Sequence, residues 1–183
     1  MANNTVKLHR VFPSTPEKVY RAFIDPDAWA RWLPPKGFTA KIHEHNPVIG
    51  GTWRMSFTNF STRNSHSFGG VYKILEPNKK VGYTAQFDTP ALPGEMTTTV
   101  DIRPVSCGVE VNIVQEGIPE MIPVESCYLG WQESLQFLAA LIEPDRTGQR
   151  AGFGRWIVLG QSELGQMWTG IEAAEHTMIA GSP

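Results

Sequence analysis

Residues 123–143, PVESCYLGWQESLQFLAALIE, constrain the fold more than any other stretch of this chain. Val124, Tyr128, Trp131, Leu135, Leu138 and Ile142 recur at three- and four-residue steps, which puts them on one face of a single long helix. Glu125, Gln132, Glu133 and Gln136 take much of the other face. Pro123 suits the first helical turn, where its missing N–H costs nothing. Pro144 disfavours helical geometry in Glu143 and so ends the helix. Gly130 sits inside it at a cost of about 1 kcal/mol relative to alanine. The expected reason is close approach of another backbone. So broad an apolar stripe has to lie against a large surface.

The preceding chain supplies that surface. Residues 5–12 read as a strand. Ser14 is the expected N-cap of a helix, with Glu17 three residues on as in a capping box and Val19, Tyr20, Phe23 and Ile24 on its apolar face. Asp25-Pro26 stops it. Asp27 is the expected cap of a second short helix, which Pro34-Pro35 ends.

From Phe38 the period becomes two. Phe38, Ala40 and Ile42 alternate with polar residues, as do Trp53, Met55 and Phe57 after the turn at Gly50-Gly51. Further apolar rows follow: residues 66–75, then Val81, Tyr83, Ala85 and Phe87, then Met96 to Ile102, then Val109 to Ile113. Gly69-Gly70 marks a bulge or a close contact. Strands joined by short turns pair as antiparallel neighbours. A sheet with one apolar face needs a single cover, and the long helix is that cover.

These pieces together resemble a known family. RVFPSTPEKVYRAFIDPDAWARWLPP, GGTWRMSF, GGVYKILEPNKKVGYTAQFD and GWQESLQFLAALIE, in that order, are similar to the activator of heat-shock-protein-90 ATPase homologue (Aha-like) family of the START-like (SRPBCC, Bet v 1-like) superfamily. The resemblance spans residues 5–143. It implies an α+β helix-grip fold: a curved antiparallel sheet of about six to seven strands around a long C-terminal helix, with two short helices after the first strand. It also implies a cavity between sheet and helix. Members bind varied apolar or aromatic ligands, and relatives include polyketide cyclases. The named chaperone activity belongs to a eukaryotic two-domain protein.

The domain is expected to occupy residues 1–144. Residues 145–183 form an extension that begins with the linker-like DRTGQRAGFGR. Leu164, Met167, Trp168 and Ile171 fall at helical spacing there, which reads either as a lid or homodimerisation helix or as a loosely packed extension. Gly165 and Gly170 weaken any helix at that point.

A net charge of -2 gives no basic footprint for nucleic acid. No apolar run is long enough to span a bilayer, and the first residues lack the apolar core of a signal peptide. Two cysteines, Cys107 and Cys127, form no CxxC pair. A reduced cytoplasmic location is therefore expected.

No P-loop, GxSxG or HExxH is present, and neither a cofactor nor a metal is expected. His43 and His45, two apart on a strand, should share its polar face. The candidate ligand-binding residues are Trp53, Arg54, Phe57, His66, Tyr83, Phe87, Glu125, Tyr128 and Trp131. Aromatic walls with a few polar groups suit a flat apolar molecule, in a space expected to reach on the order of 300 Å³ or more. Three readings stay open: a small-molecule binding protein, a cyclase- or aromatase-like enzyme using His66 or Glu125 as acid or base, and a chaperone-accessory interaction module.

Overall fold

The computed structural model describes residues 4–143. The elements run β1 (Val6–Phe12), α1 (Pro16–Ile24), α2 (Pro26–Trp32), β2 (Phe38–His45), β3 (Thr52–Asn59), β4 (Ser65–Glu76), β5 (Lys80–Phe87), β6 (Met96–Val105), β7 (Gly108–Glu116) and α3 (Val124–Ile142). The expectations for residues 145–183 lie outside the described residues.

The seven strands make one curved antiparallel sheet in the order β1-β7-β6-β5-β4-β3-β2. From β2 to β7 each strand pairs with the next in sequence, as short turns dictate. β1 lies beside β7 at the opposite edge from β2. The chain therefore crosses from one sheet edge to the other through α1 and α2. That crossing carries their aromatic side chains over the inner face.

Alternation sets that face. Val100 of β6, Val81 of β5, Tyr72 of β4 and Met55 of β3 are all fully buried. Two register shifts interrupt the ladders, in β2 between Ile42 and Glu44 and in β4 between Tyr72 and Ile74. Such bulges bend a strand and raise its twist. The glycines at 69 and 70 are not the bulge. Gly70 instead admits its neighbour closely: a Cβ there would fall 1.9 Å from the Thr84 carbonyl oxygen.

The short helices differ from expectation at their caps. Thr15, not Ser14, caps α1 by accepting from the Lys18 N–H, and the Ser14 hydroxyl donates to the Ile142 carbonyl at 2.8 Å. Asp25, not Asp27, caps α2 by accepting from the Ala28 N–H at 3.0 Å.

α3 buries Trp131, Ser134, Leu135, Leu138, Ala139 and Ile142. Its middle is tied to the end of α2. The Ser134 hydroxyl donates to the Leu33 carbonyl at 2.6 Å, and the Lys36 N–H donates to Glu133 Oε2 at 3.1 Å. The sheet, the α2 end and the long helix thus enclose one interior.

Candidate functional site

That interior has a filled half and an open half. In the filled half Trp29, wholly buried, drops from α2 onto the sheet. Its ring lies 4.9 Å from that of Trp53, 5.3 Å from Tyr83 and 6.1 Å from Tyr72. His45 completes the cluster, 5.7 Å from Trp29, with its Nε2 2.7 Å from the Ile24 carbonyl. The bulge in β2 explains why His45 turns inward. His43 meets the Ser56 hydroxyl at 2.9 Å, so the two histidines do not share a face as the alternation predicted. Among the described residues no group of three or more His, Cys, Asp or Glu side chains is placed to hold a metal ion.

The open half is a cavity of ≈ 200 Å³. β3, β4 and β5 give it Trp53, Phe57, Phe68, Tyr83 and Phe87; β6 and β7 give it Met96, Thr98 and Gln115. Leu33 and Pro35, after α2, form one side, and Cys127, Gly130 and Trp131 of α3 form the roof. The volume falls short of the expected 300 Å³, and the neighbouring half of the interior is filled by Trp29.

No lining side chain is charged at neutral pH. Burial pushes the Tyr83 phenol far above its ordinary value, an effect only partly offset by its hydrogen bond to Thr98. Burial also raises the Cys127 thiol. Gln115 is the polar centre of the wall. Its Oε1 accepts from Trp131 Nε1 at 2.9 Å and from the Cys127 thiol at 3.5 Å. Among the described residues its Nε2 donates only to the Met96 sulfur, at 3.8 Å.

Of the nine candidate residues, Trp53, Phe57, Tyr83, Phe87 and Trp131 line this cavity. Four do not. Arg54 follows the inward Trp53 and therefore points outward, where it pairs with Asp88. Glu125 is exposed in the first turn of α3, where the helix dipole favours a carboxylate. Tyr128 is 42% exposed. One turn back from Trp131 at roughly 3.6 residues per turn lies nearer position 127, so Cys127 takes the inward place. His66 is on the inner face but at the rim, exposed, its ring 6.0 Å from Phe57 and 6.1 Å from Phe38, Phe68 and Phe87. Burial against those rings lowers its pKa from the ordinary 6.5.

Sequence reasoning missed Gln115, Cys127, Phe68 and Trp29. Continuing the alternation Val109, Val111, Ile113 by one more step reaches Gln115.

Two larger depressions lie elsewhere. One of ≈ 490 Å³ sits among Lys18, Arg21, Asp25, Asp27 and Arg31, and one of ≈ 460 Å³ lies on the outer sheet face around Arg54, Gly69 and Asp88. Their walls are mostly polar or charged groups, whereas the aromatic cavity is the concave apolar space expected of a small-molecule site. Among the described residues no helix is long and apolar enough to cross a membrane.

Known proteins share this architecture. The family described as Activator of Hsp90 ATPase homolog 1-like protein matches residues 13–143. The chain is 54% identical to a crystallised protein of Chromobacterium violaceum, with a TM-score of 0.77, over 78% of this chain and 99% of that one. A Rhodobacter sphaeroides protein matches at 20% identity and a TM-score of 0.66, over 76% of this chain and 91% of the other. An Arthrobacter aurescens protein matches at 16% identity and a TM-score of 0.68, over 76% and 86% respectively. No curated protein matches the chain.

Proposed function

This chain belongs to the family of Activator of Hsp90 ATPase homolog 1-like proteins, whose fold commonly binds ligands, and from that premise we propose that it binds a small, uncharged apolar or aromatic molecule between the sheet and α3. The observation that carries this reading is the wall chemistry. The cavity is lined by aromatic and aliphatic side chains with a single amide at its centre, and no lining group bears a charge. A charged ligand would lose its hydration there without gaining a partner.

The same chemistry favours binding over acid–base catalysis. A general base should titrate near the working pH. The cavity offers only a phenol and a thiol, both pushed further into their protonated forms. His66, whose pKa burial lowers from the ordinary 6.5, stands at the rim, outside the cavity lining.

A chaperone-accessory role is the second reading. Tyr128 at 42% and Leu129 at 63% exposure give α3 an apolar outer surface that a protein partner could cover.

Titration with 1-aminoanthracene, flavonoids, long-chain alcohols and uncharged polyketides, read by tryptophan fluorescence, tests the first reading. Saturable quenching by at least one compound is expected. No binding at high micromolar concentration would overturn it and leave the protein-contact reading.

A further inference from the structure

Gly130 lines the cavity from α3, and its carbonyl accepts the Ser134 hydroxyl at 3.0 Å. Nothing local requires a glycine there. The residue is inside a regular helix and is not among the glycines with positive φ. A Cβ built on it meets no heavy atom within 4 Å outside its own turn, so the close backbone approach expected from the sequence does not exist. Helix propensity alone disfavours glycine at such a position. What the missing side chain does leave is free space in the roof of the cavity. Across the cavity, on the sheet side, stand Phe57, Phe68 and Phe87, with the rings of Phe57 and Phe68 4.8 Å apart and those of Phe68 and Phe87 5.7 Å apart. One wall is therefore aromatic, and part of the opposite wall is bare helix backbone.

We propose that Gly130 is the specificity-determining residue of this cavity, and that the ligand is an uncharged planar ring system lying with one face on the α3 backbone at Gly130 and the other toward the phenylalanine wall. This rests on the binding function proposed above. A side chain at residue 130 would project into the slot and shorten the ring system it can hold. A flexible acyl chain could bend around a methyl group, whereas a rigid plane could not.

The test compares wild type with Gly130→Ala, using 1-aminonaphthalene, 1-aminoanthracene and 1-aminopyrene as neutral planar probes of increasing size and a fluorescent long-chain alcohol as the neutral flexible control. Wild type should bind at least the two smaller ring probes. Gly130→Ala should melt a few degrees higher, because alanine is the better helix former. Its affinity should fall by about tenfold or more for the largest ring probe that wild type binds, as expected where an added methyl overpacks a filled site. The smallest ring probe and the long-chain alcohol should change little.

Unchanged affinity across the ring series would overturn the proposal while leaving the binding function standing. An equal loss for every probe would point to a hinge at Gly130 and also overturn it. A lower melting temperature would show that the methyl meets a neighbour, so that the space at Gly130 is not free, and would overturn the proposal. Failure of wild type to bind any probe would overturn both this proposal and the binding function.

Discussion

Trp131 Nε1 donates to Gln115 Oε1 at 2.9 Å, joining the middle of the long helix to the inner face of β7 by a side-chain bond inside an otherwise apolar interior. Trp131 is 7% exposed and Gln115 8%, so water competes little for this bond. The bond ties the helix to the sheet at the cavity, which both residues line.

Breaking that bond from one side should cost more than removing it from both. Gln115→Leu leaves the Trp131 N–H without its acceptor and should destabilise by about 1–3 kcal/mol. Trp131→Phe combined with Gln115→Leu should cost less than the sum of the two single changes. Urea melts of the four proteins measure this directly. Strict additivity would mean that the bond contributes nothing.

Truncating Trp29 should both destabilise the fold and enlarge the cavity. The ring is wholly buried and touches Trp53 and Tyr83, which also line the cavity. Trp29→Ala should cost about 3–5 kcal/mol. If the variant stays folded, it should bind 1-aminopyrene more tightly than wild type does. Weaker binding in a folded variant would show that the two halves of the interior are not continuous.

These two residues also show where the sequence was legible. The period of two identified the inward-facing Trp53, Phe57, Tyr83 and Phe87, because alternation in a half-buried sheet depends only on local geometry. The single long helix was legible for the same reason. Trp29 was not, because a seven-residue helix takes its orientation from where the chain must cross, and that depends on the whole sheet. The inward turn of His45 was hidden because a bulge shifts the alternation by one residue. Tyr128 and Cys127 straddle the helical seam, and only the docked helix decides between them. Arg54 has the outward parity of its strand, opposite to Trp53 and Met55, so alternation alone excludes it from the inner face.

His66 gives a pH prediction. Its folded pKa is depressed by burial among phenylalanine rings, below the 6.5 of the unfolded chain. At pH above 6.5 both states are neutral and the residue has no effect on stability. As pH falls below 6.5 the unfolded chain protonates first, so stability declines until the folded pKa is passed. The imidazole is shielded by those rings on one side and open to water on the other, so the loss should be small. An NMR titration of the ring should give a midpoint below 6.5, and His66→Ala should flatten the stability profile across that window. A midpoint at or above 6.5 would contradict the burial argument.

The remaining structural proposal concerns the domain boundary. The Chromobacterium violaceum relative is covered over 99% of its length by 78% of this chain. We therefore expect a chain ending at Pro144 to fold alone. Thermal unfolding of that shortened chain should stay cooperative, with a midpoint close to that of the full chain. A non-cooperative melt would show that residues 145–183 belong to the core or to an obligate dimer.

The central claim is that a small neutral ligand enters the space between sheet and helix, and chemical-shift mapping tests it by location. Labelled protein would be titrated with 1-aminoanthracene while amide and indole resonances are followed. The account predicts saturable shifts at Trp131 Nε1, the Gln115 side-chain amide and the Gly130 backbone N–H, with little change at Arg54, Gln86 and Asp88 on the outer face. Shifts confined to that outer face, or no shifts at high micromolar probe, would contradict it.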